Sequence, residues 1–197
     1  MTRGGAMLVI ALGLAGCAAD HRLAAFRATL AANQSATTAL EQWCTAAHLA
    51  SPATISAQTI HDEGDPVDRP TPAIRAALGV TADDPVRMRH VLLSCGGVVL
   101  SDARNWYVPA RLTPAMNHAL DTSHVPFGKV VAPGGLHREH LPAAMAAPAA
   151  CSGHAIHHET AVLRRDDGRP IALVSECYTR ANLGRKNHAD ARALQGD

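Results

Sequence analysis

Aromatic residues are nearly missing from this 197-residue chain: two Trp, two Tyr and two Phe make up 3% of it. A protein that grips single-stranded nucleic acid stacks successive bases on aromatic rings, so so few rings exclude a base-stacking platform. Charge of either sign is also scarce in excess, with 18 Lys and Arg against 17 Asp and Glu. Without a basic run there is no electrostatic footprint for a phosphate backbone, and no nucleic-acid partner is expected. Long hydrophobic runs are lacking as well. The longest, Ala6 to Leu14, is about half of what a bilayer-spanning helix requires. No internal repeat is visible, so the chain is not a solenoid.

That short apolar run has a different use. Arg3 precedes it as a thin positive region, and Leu14-Ala15-Gly16-Cys17 follows at once. The tetrapeptide resembles the lipobox of bacterial lipoproteins, whose cysteine is lipidated and becomes the mature N-terminus. The resemblance implies a signal peptide over residues 1–16, a lipid anchor such as palmitate on Cys17, and the periplasmic side of a bacterial envelope. In such lipoproteins an Asp after the cysteine retains the protein at the inner membrane; Ala18 stands there, which leans to the outer membrane. Cys44, Cys95, Cys151 and Cys177 remain. In an exported chain an even number permits two disulfides in any of three connectivities, although Cys44, Cys95 and Cys177 would also serve as small buried hydrophobes.

Residues 17–34 are Ala-rich and expected to form a tether or first helix. Residues 35–182 carry the domain, and 183–197 a polar tail. Thr38 and Glu41 have capping-box spacing, and Leu40, Trp43, Cys44 and Ala47 form a helical apolar stripe. Residues 53–60 alternate like a strand, and 61–72, with Asp, Gly and three Pro, read as a loop. A hairpin follows over 86–95 and 98–108 around Gly96-Gly97. Thr113 and Pro114 open a short helix over 112–120. Residues 125–131 read as a turn entering a strand, 133–153 as an irregular connection, and 156–165 with 170–178 as a second hairpin. Hairpins with helices before and between them predict an α+β domain: a single antiparallel β-sheet covered on one face by helices.

Two charges fall where the strand pattern should bury them. Period-2 alternation places Arg89 with Val91 and Leu93, and Glu176 with Ala172 and Val174. A charge on an apolar face needs a partner or a ligand, so the two either pair in the core or converge on one pocket for a small acid. Counting outward from an Asp167-Gly168 turn pairs Val162 with Leu173 and Ala161 with Val174, and brings Glu159 opposite Glu176. Two opposed carboxylates share a proton near neutral pH unless Arg89 or Arg104 lies between them; alternatively, Glu159 lies just before the strand, bends into solvent and leaves Glu176 ionised against Arg89.

Four blocks in order resemble chorismate lyase, the enzyme that removes pyruvate from chorismate to leave 4-hydroxybenzoate. They are Ser35 to Gln42; Met88 to Ser94 leading through Gly97 to Ala103-Arg104 and Val108-Pro109; Val125 to Gly128; and Val162 to Glu176. Together they cover about residues 35–180. The fold is shared by ligand-binding domains of some transcription regulators. The resemblance implies that Arg89 holds a ring carboxylate, that Glu176 meets the hydroxyl end, and that Ala36 and Phe127 offer backbone groups, with Arg104 a weaker candidate. It further implies action on, or binding of, a small aromatic or cyclohexadiene carboxylate, with no metal and no organic cofactor required; a monomer is expected. Chorismate is cytoplasmic, which sets the lyase reading against a lipid-anchored binding protein that keeps the pocket without turnover. A metal reading rests on His137 and His140 with His154, His157 and His158, which match no metalloenzyme pattern. Nucleophilic catalysis by Cys95 or Cys177 finds no partnering arrangement.

Overall fold

A computed structural model describes residues 10–60, 69–142, 151 and 155–184. The remaining parts of the signal segment, the 61–72 loop, the 133–153 connection and the polar tail, His154 included, lie outside the described residues. The elements are α1 (Ile10–Ala31), α2 (Ala36–Ala46), β1 (Ile55–Thr59), α3 (Pro72–Leu78), β2 (Arg87–Cys95), β3 (Val98–Tyr107), α4 (Pro114–Thr122), α5 (Phe127–Val131), β4 (His137–His140), β5 (Ala155–Arg164) and β6 (Pro170–Thr179). The strands form one antiparallel sheet in the order β1-β2-β3-β6-β5-β4, so the fold is α+β with a single sheet. Among the described residues no helix is long and apolar enough to cross a membrane.

Helices α1, α2, α4 and α5 pack on one sheet face. Phe26 and Leu30 of α1 join Leu40 and Trp43 of α2 over Val91, Leu93, Ala103 and Tyr178. Residues Leu120, Phe127 and Val131 from α4 and α5 cover the other end, over Tyr107, Ala161, Leu163 and Val174. The short α3 lies on the opposite face, where Ile74 and Leu78 meet Trp106, Val162 and Leu173. Both disulfides form: Cys44–Cys95 ties α2 to the end of β2, and Cys151–Cys177 ties the β4–β5 connection to β6.

Three local expectations are corrected, and one helix is added. The cap of α2 is Ser35, whose hydroxyl accepts from the Thr38 amide, and not Thr38; Glu41 instead accepts from the Ile55 amide and pairs with Lys129. Residues 127–131 are helical because Phe127 and Val131, one turn apart, share a buried face. Helix α3 follows the expected loop, with Thr71 as its N-cap, Pro72 in its first turn and Gly79 at φ +60° closing it. The connection after residue 133 contains β4, which pairs with β5 from His137↔Arg164 to His140↔Ala161.

Candidate functional site

The β5–β6 pairs match the count, with Val162 facing Leu173, Ala161 facing Val174 and Glu159 facing Glu176, but not its premise: the turn spans residues 166–168, the Arg165 amide donating to the Arg169 carbonyl, and a register shift between Leu163 and Arg164 restores the pairing. Ala103 faces Glu176 from the other side and Val91 faces Ala103, so Glu159, Glu176, Ala103 and Val91 form one cross-strand row under the helices. Arg89, Asn105 and Val174 form the next row on that face.

Two carboxylates opposed on a buried face need a cation, and Arg138 of β4 supplies it. Its side chain, 4% exposed, contacts Glu176 (6%) and reaches Glu159 (13%) at 3.2 Å. Tyr178 donates its hydroxyl to Glu176 at 3.1 Å, and His157 lies 3.1 Å from Glu159 while stacking on the Tyr178 ring. Burial works to lower the pKa of Arg138, but Glu176 and Glu159 outweigh it and raise it. Burial pushes the Tyr178 phenol well above its usual value, and the Glu176 charge adds to the push. For Glu159, burial opposes the charged form; the His157 hydrogen bond, Arg138 and His140 prevail, holding the carboxyl below its ordinary range. The cation between the carboxylates is therefore neither Arg89 nor Arg104, and it removes the requirement for a shared proton.

This cluster closes one end of a small cavity of about 20 Å³, room for a single water. Ala36, Thr37, Asn105, Phe127, Gly128, Arg138 and Glu176 are among its walls. Asn105 is 5% exposed and lines the cavity beside Arg138 and Glu176. Facing it is the start of α2: Ser35 takes the Thr38 and Ala39 amides, while those of Ala36 and Thr37 belong to the first turn, which has no acceptor within the helix. A helix N-terminus, an arginine and an amide favour a negative group here, and Glu176 accepts a hydroxyl.

Three of the expected site residues, Ala36, Phe127 and Glu176, thus meet at one cavity. Arg89 lies on the same sheet face but not in that wall. Its guanidinium donates to the carbonyls of Val125 and Ser123, both at 3.1 Å, and its buried Nε has no partner among the described residues. It borders a separate open groove of about 700 Å³ with Arg87, Tyr107, Asp121 and His124. Arg89 and Glu176 form no ion pair. Arg104 is placed on the opposite face, aligned with His90 and Ser175 and 4.0 Å from Asp102, so it does not reach the cavity. His137 and His140 do not converge either: in a strand, residues three apart point to opposite faces, and they approach Asp166 and Glu159 respectively.

No family model matches the chain. It is 37% identical over 178 residues to the uncharacterized protein y4mC of Sinorhizobium fredii, a match spanning 80% of this chain and 73% of that one. Among solved structures it is similar to the possible transcriptional regulator YydK of Bacillus subtilis, at 16% identity and a TM-score of 0.44, over 65% of this chain and 58% of that one. It therefore spans less than two thirds of YydK. It is also similar to the effector domain of PhnF from Mycobacterium smegmatis, at 15% identity and a TM-score of 0.45, over 74% of this chain and 88% of that one. A third likeness is to the ligand-binding domain of a putative GntR-family transcriptional regulator from Bordetella bronchiseptica, at 15% identity and a TM-score of 0.43, over 64% and 83%.

Proposed function

We propose, for a chain that belongs to the family of the uncharacterized protein y4mC of Sinorhizobium fredii, that it is a lipid-anchored receptor for a small aromatic or cyclohexadiene carboxylate. The ligand enters between the start of α2 and the sheet, and the anchor is Cys17 on the periplasmic side of the envelope. One observation carries this reading: the buried Arg138–Glu176 contact lies in the wall of the same cavity as Asn105 and the first residues of α2. The ligand's carboxylate takes the Ala36 and Thr37 amides and shares Arg138, while its hydroxyl donates to Glu176. With room for one water, the cavity admits a ring only when Arg138 swings aside, so binding exchanges one carboxylate partner of that arginine for another. Arg89 acts from the neighbouring groove as a positioning residue, holding the Ser123 and Val125 carbonyls so that Phe127 stays over the cavity.

The lyase reading is the second one, and it rests on the same groups. Loss of pyruvate from chorismate aromatises the ring, so the protein has only to hold the dianion and stabilise charge on the departing oxygen. In that reading Arg138 and the α2 N-terminus would stabilise that charge. The test uses the full-length chain with Cys17→Ser. Calorimetry with 4-hydroxybenzoate should give saturable binding to one site, and incubation with chorismate, followed by pyruvate release, separates turnover from binding alone. Neither heat of binding nor pyruvate would overturn both readings.

A further inference from the structure

The sheet face turned away from the cavity carries a second chemical grouping. Strand pairing sets His158 directly opposite Cys177, and Cys151 reaches the same spot from the β4–β5 connection to close its disulfide. Two sulfurs and one imidazole nitrogen lie there within 4.8 Å of one another. The ring is held in place by hydroxyls: His158 Nε2 lies 3.0 Å from Ser175 Oγ and 3.4 Å from Thr160 Oγ1. Apolar side chains would suffice to bury a merely structural bridge. Imidazole and hydroxyls beside the sulfurs are donors that such a bridge does not need, and with Nε2 on the hydroxyls, Nδ1 is the nitrogen left to a metal.

The two disulfides of the chain also differ in access. Cys44 and Cys95 are wholly buried, whereas Cys151 is half-buried at the surface end of its bridge. Thiol–disulfide exchange requires a thiolate to reach a sulfur, so a dithiol reductant opens Cys151–Cys177 first. One thiolate of the reductant attacks and breaks the S–S bond, forming a mixed disulfide. Its second thiol then displaces the remaining protein sulfur, leaving two protein thiols and an oxidised reductant.

We infer that the reduced Cys151–Cys177 pair, together with His158, forms a binding site for one thiophilic divalent ion such as Zn²⁺. Binding releases the two thiol protons and gives a two-sulfur, one-nitrogen set with the fourth position open. Zinc–sulfur bonds of about 2.3 Å set tetrahedral sulfurs roughly 3.8 Å apart. The Cα atoms are 5.4 Å apart, so side-chain rotation brings the sulfurs to that spacing without moving the strands. The site is separate from the Arg138 cavity, since His158 and Glu159 are consecutive in a strand and face opposite sides.

The test takes the full-length chain with Cys17→Ser and reduces it with a phosphine until an aliquot shows, by mass spectrometry, Cys151 and Cys177 labelled by a thiol reagent and Cys44–Cys95 still bonded; the phosphine is then removed and the unlabelled remainder titrated anaerobically with Co²⁺. One equivalent should bind with a thiolate-to-cobalt charge-transfer band that Zn²⁺ abolishes, and the oxidised protein should show none. His158→Ala keeps both thiols and should weaken binding by about tenfold or more with a changed visible spectrum. No band in the reduced protein, or a band and affinity that survive His158→Ala unchanged, would overturn the assignment.

Discussion

Arg138→Met keeps most of the side chain's volume and removes its charge from between two carboxylates that strand pairing holds face to face. Breaking a buried ion pair from one side costs about 3–5 kcal/mol, because the surviving charge is left without a partner. Glu159 keeps 13% of its side chain in solvent, which places the expectation at the lower end, about 3 kcal/mol. The loss has a pH signature that simple repacking does not. In the wild type the Glu159 carboxyl titrates below its ordinary value, so its contribution is complete above that value and is lost only as pH falls through the folded one. In the variant the sign reverses. One of the two opposed carboxyls must rise above its ordinary value, so the folded variant is penalised at neutral pH and relieved as pH falls toward about 4. Urea unfolding with disulfides intact should show a gap of about 3 kcal/mol at pH 7 that narrows to about 1 near pH 4. Adding Glu176→Gln to the variant should recover much of the neutral-pH loss. A gap below about 1 kcal/mol at pH 7, or one that does not change with pH, would refute the argument that Arg138 neutralises this pair.

Gly128→Ala would bring a Cβ to 2.6 Å from the Ser35 hydroxyl and 3.1 Å from that of Thr37, so Ser35 must turn away from its cap. A stability loss of about 1 kcal/mol and weaker 4-hydroxybenzoate binding are expected, and an unchanged melting temperature would contradict the contact. Arg89→Ala removes two charge-assisted hydrogen bonds to the Ser123 and Val125 carbonyls and should cost about 2 kcal/mol in urea unfolding; less than about 0.5 would show the contacts to be idle. Cys17→Ser should move the protein from the membrane fraction to the soluble one, because acyl chains supply the membrane affinity, and retention in the pellet would exclude the anchor.

The two hairpins were legible because turn residues and period-2 alternation reinforce each other there, to the point that Glu159 opposite Glu176 followed from counting. The burial of Arg89 and Glu176 was legible for the same reason. What alternation could not reveal was β4, since His137-Arg138-Glu139-His140 contains no apolar residue and becomes a strand only through its pairing with β5. Arg138 was thereby hidden, although two facing acids already demanded a cation. The chemistry of the demand pointed to an arginine, and only its address was missing. Helix α3 had readable ends in Thr71, Pro72 and Gly79, whereas α5 is too short and too rich in β-branched Val for a helical period to appear. Which cysteines pair was not legible at all, because spacing does not encode connectivity.

The same polar strand has a bearing on the life of the protein among its own copies. An open sheet has two edges, and each is a template on which another chain can add a strand. At one edge, β4 presents only imidazole, guanidinium and carboxylate side chains, so a strand arriving there meets charge and no apolar row. At the other, the Ala57 amide of β1 already donates to the His124 carbonyl, and the His124 ring lies 3.2 Å from the Ala57 oxygen. The middle of that edge is thus occupied from within the chain. On a lipid tether of the kind proposed, copies of such a domain would collide often, and both of its borders are of a kind that lets such collisions end without a fibril.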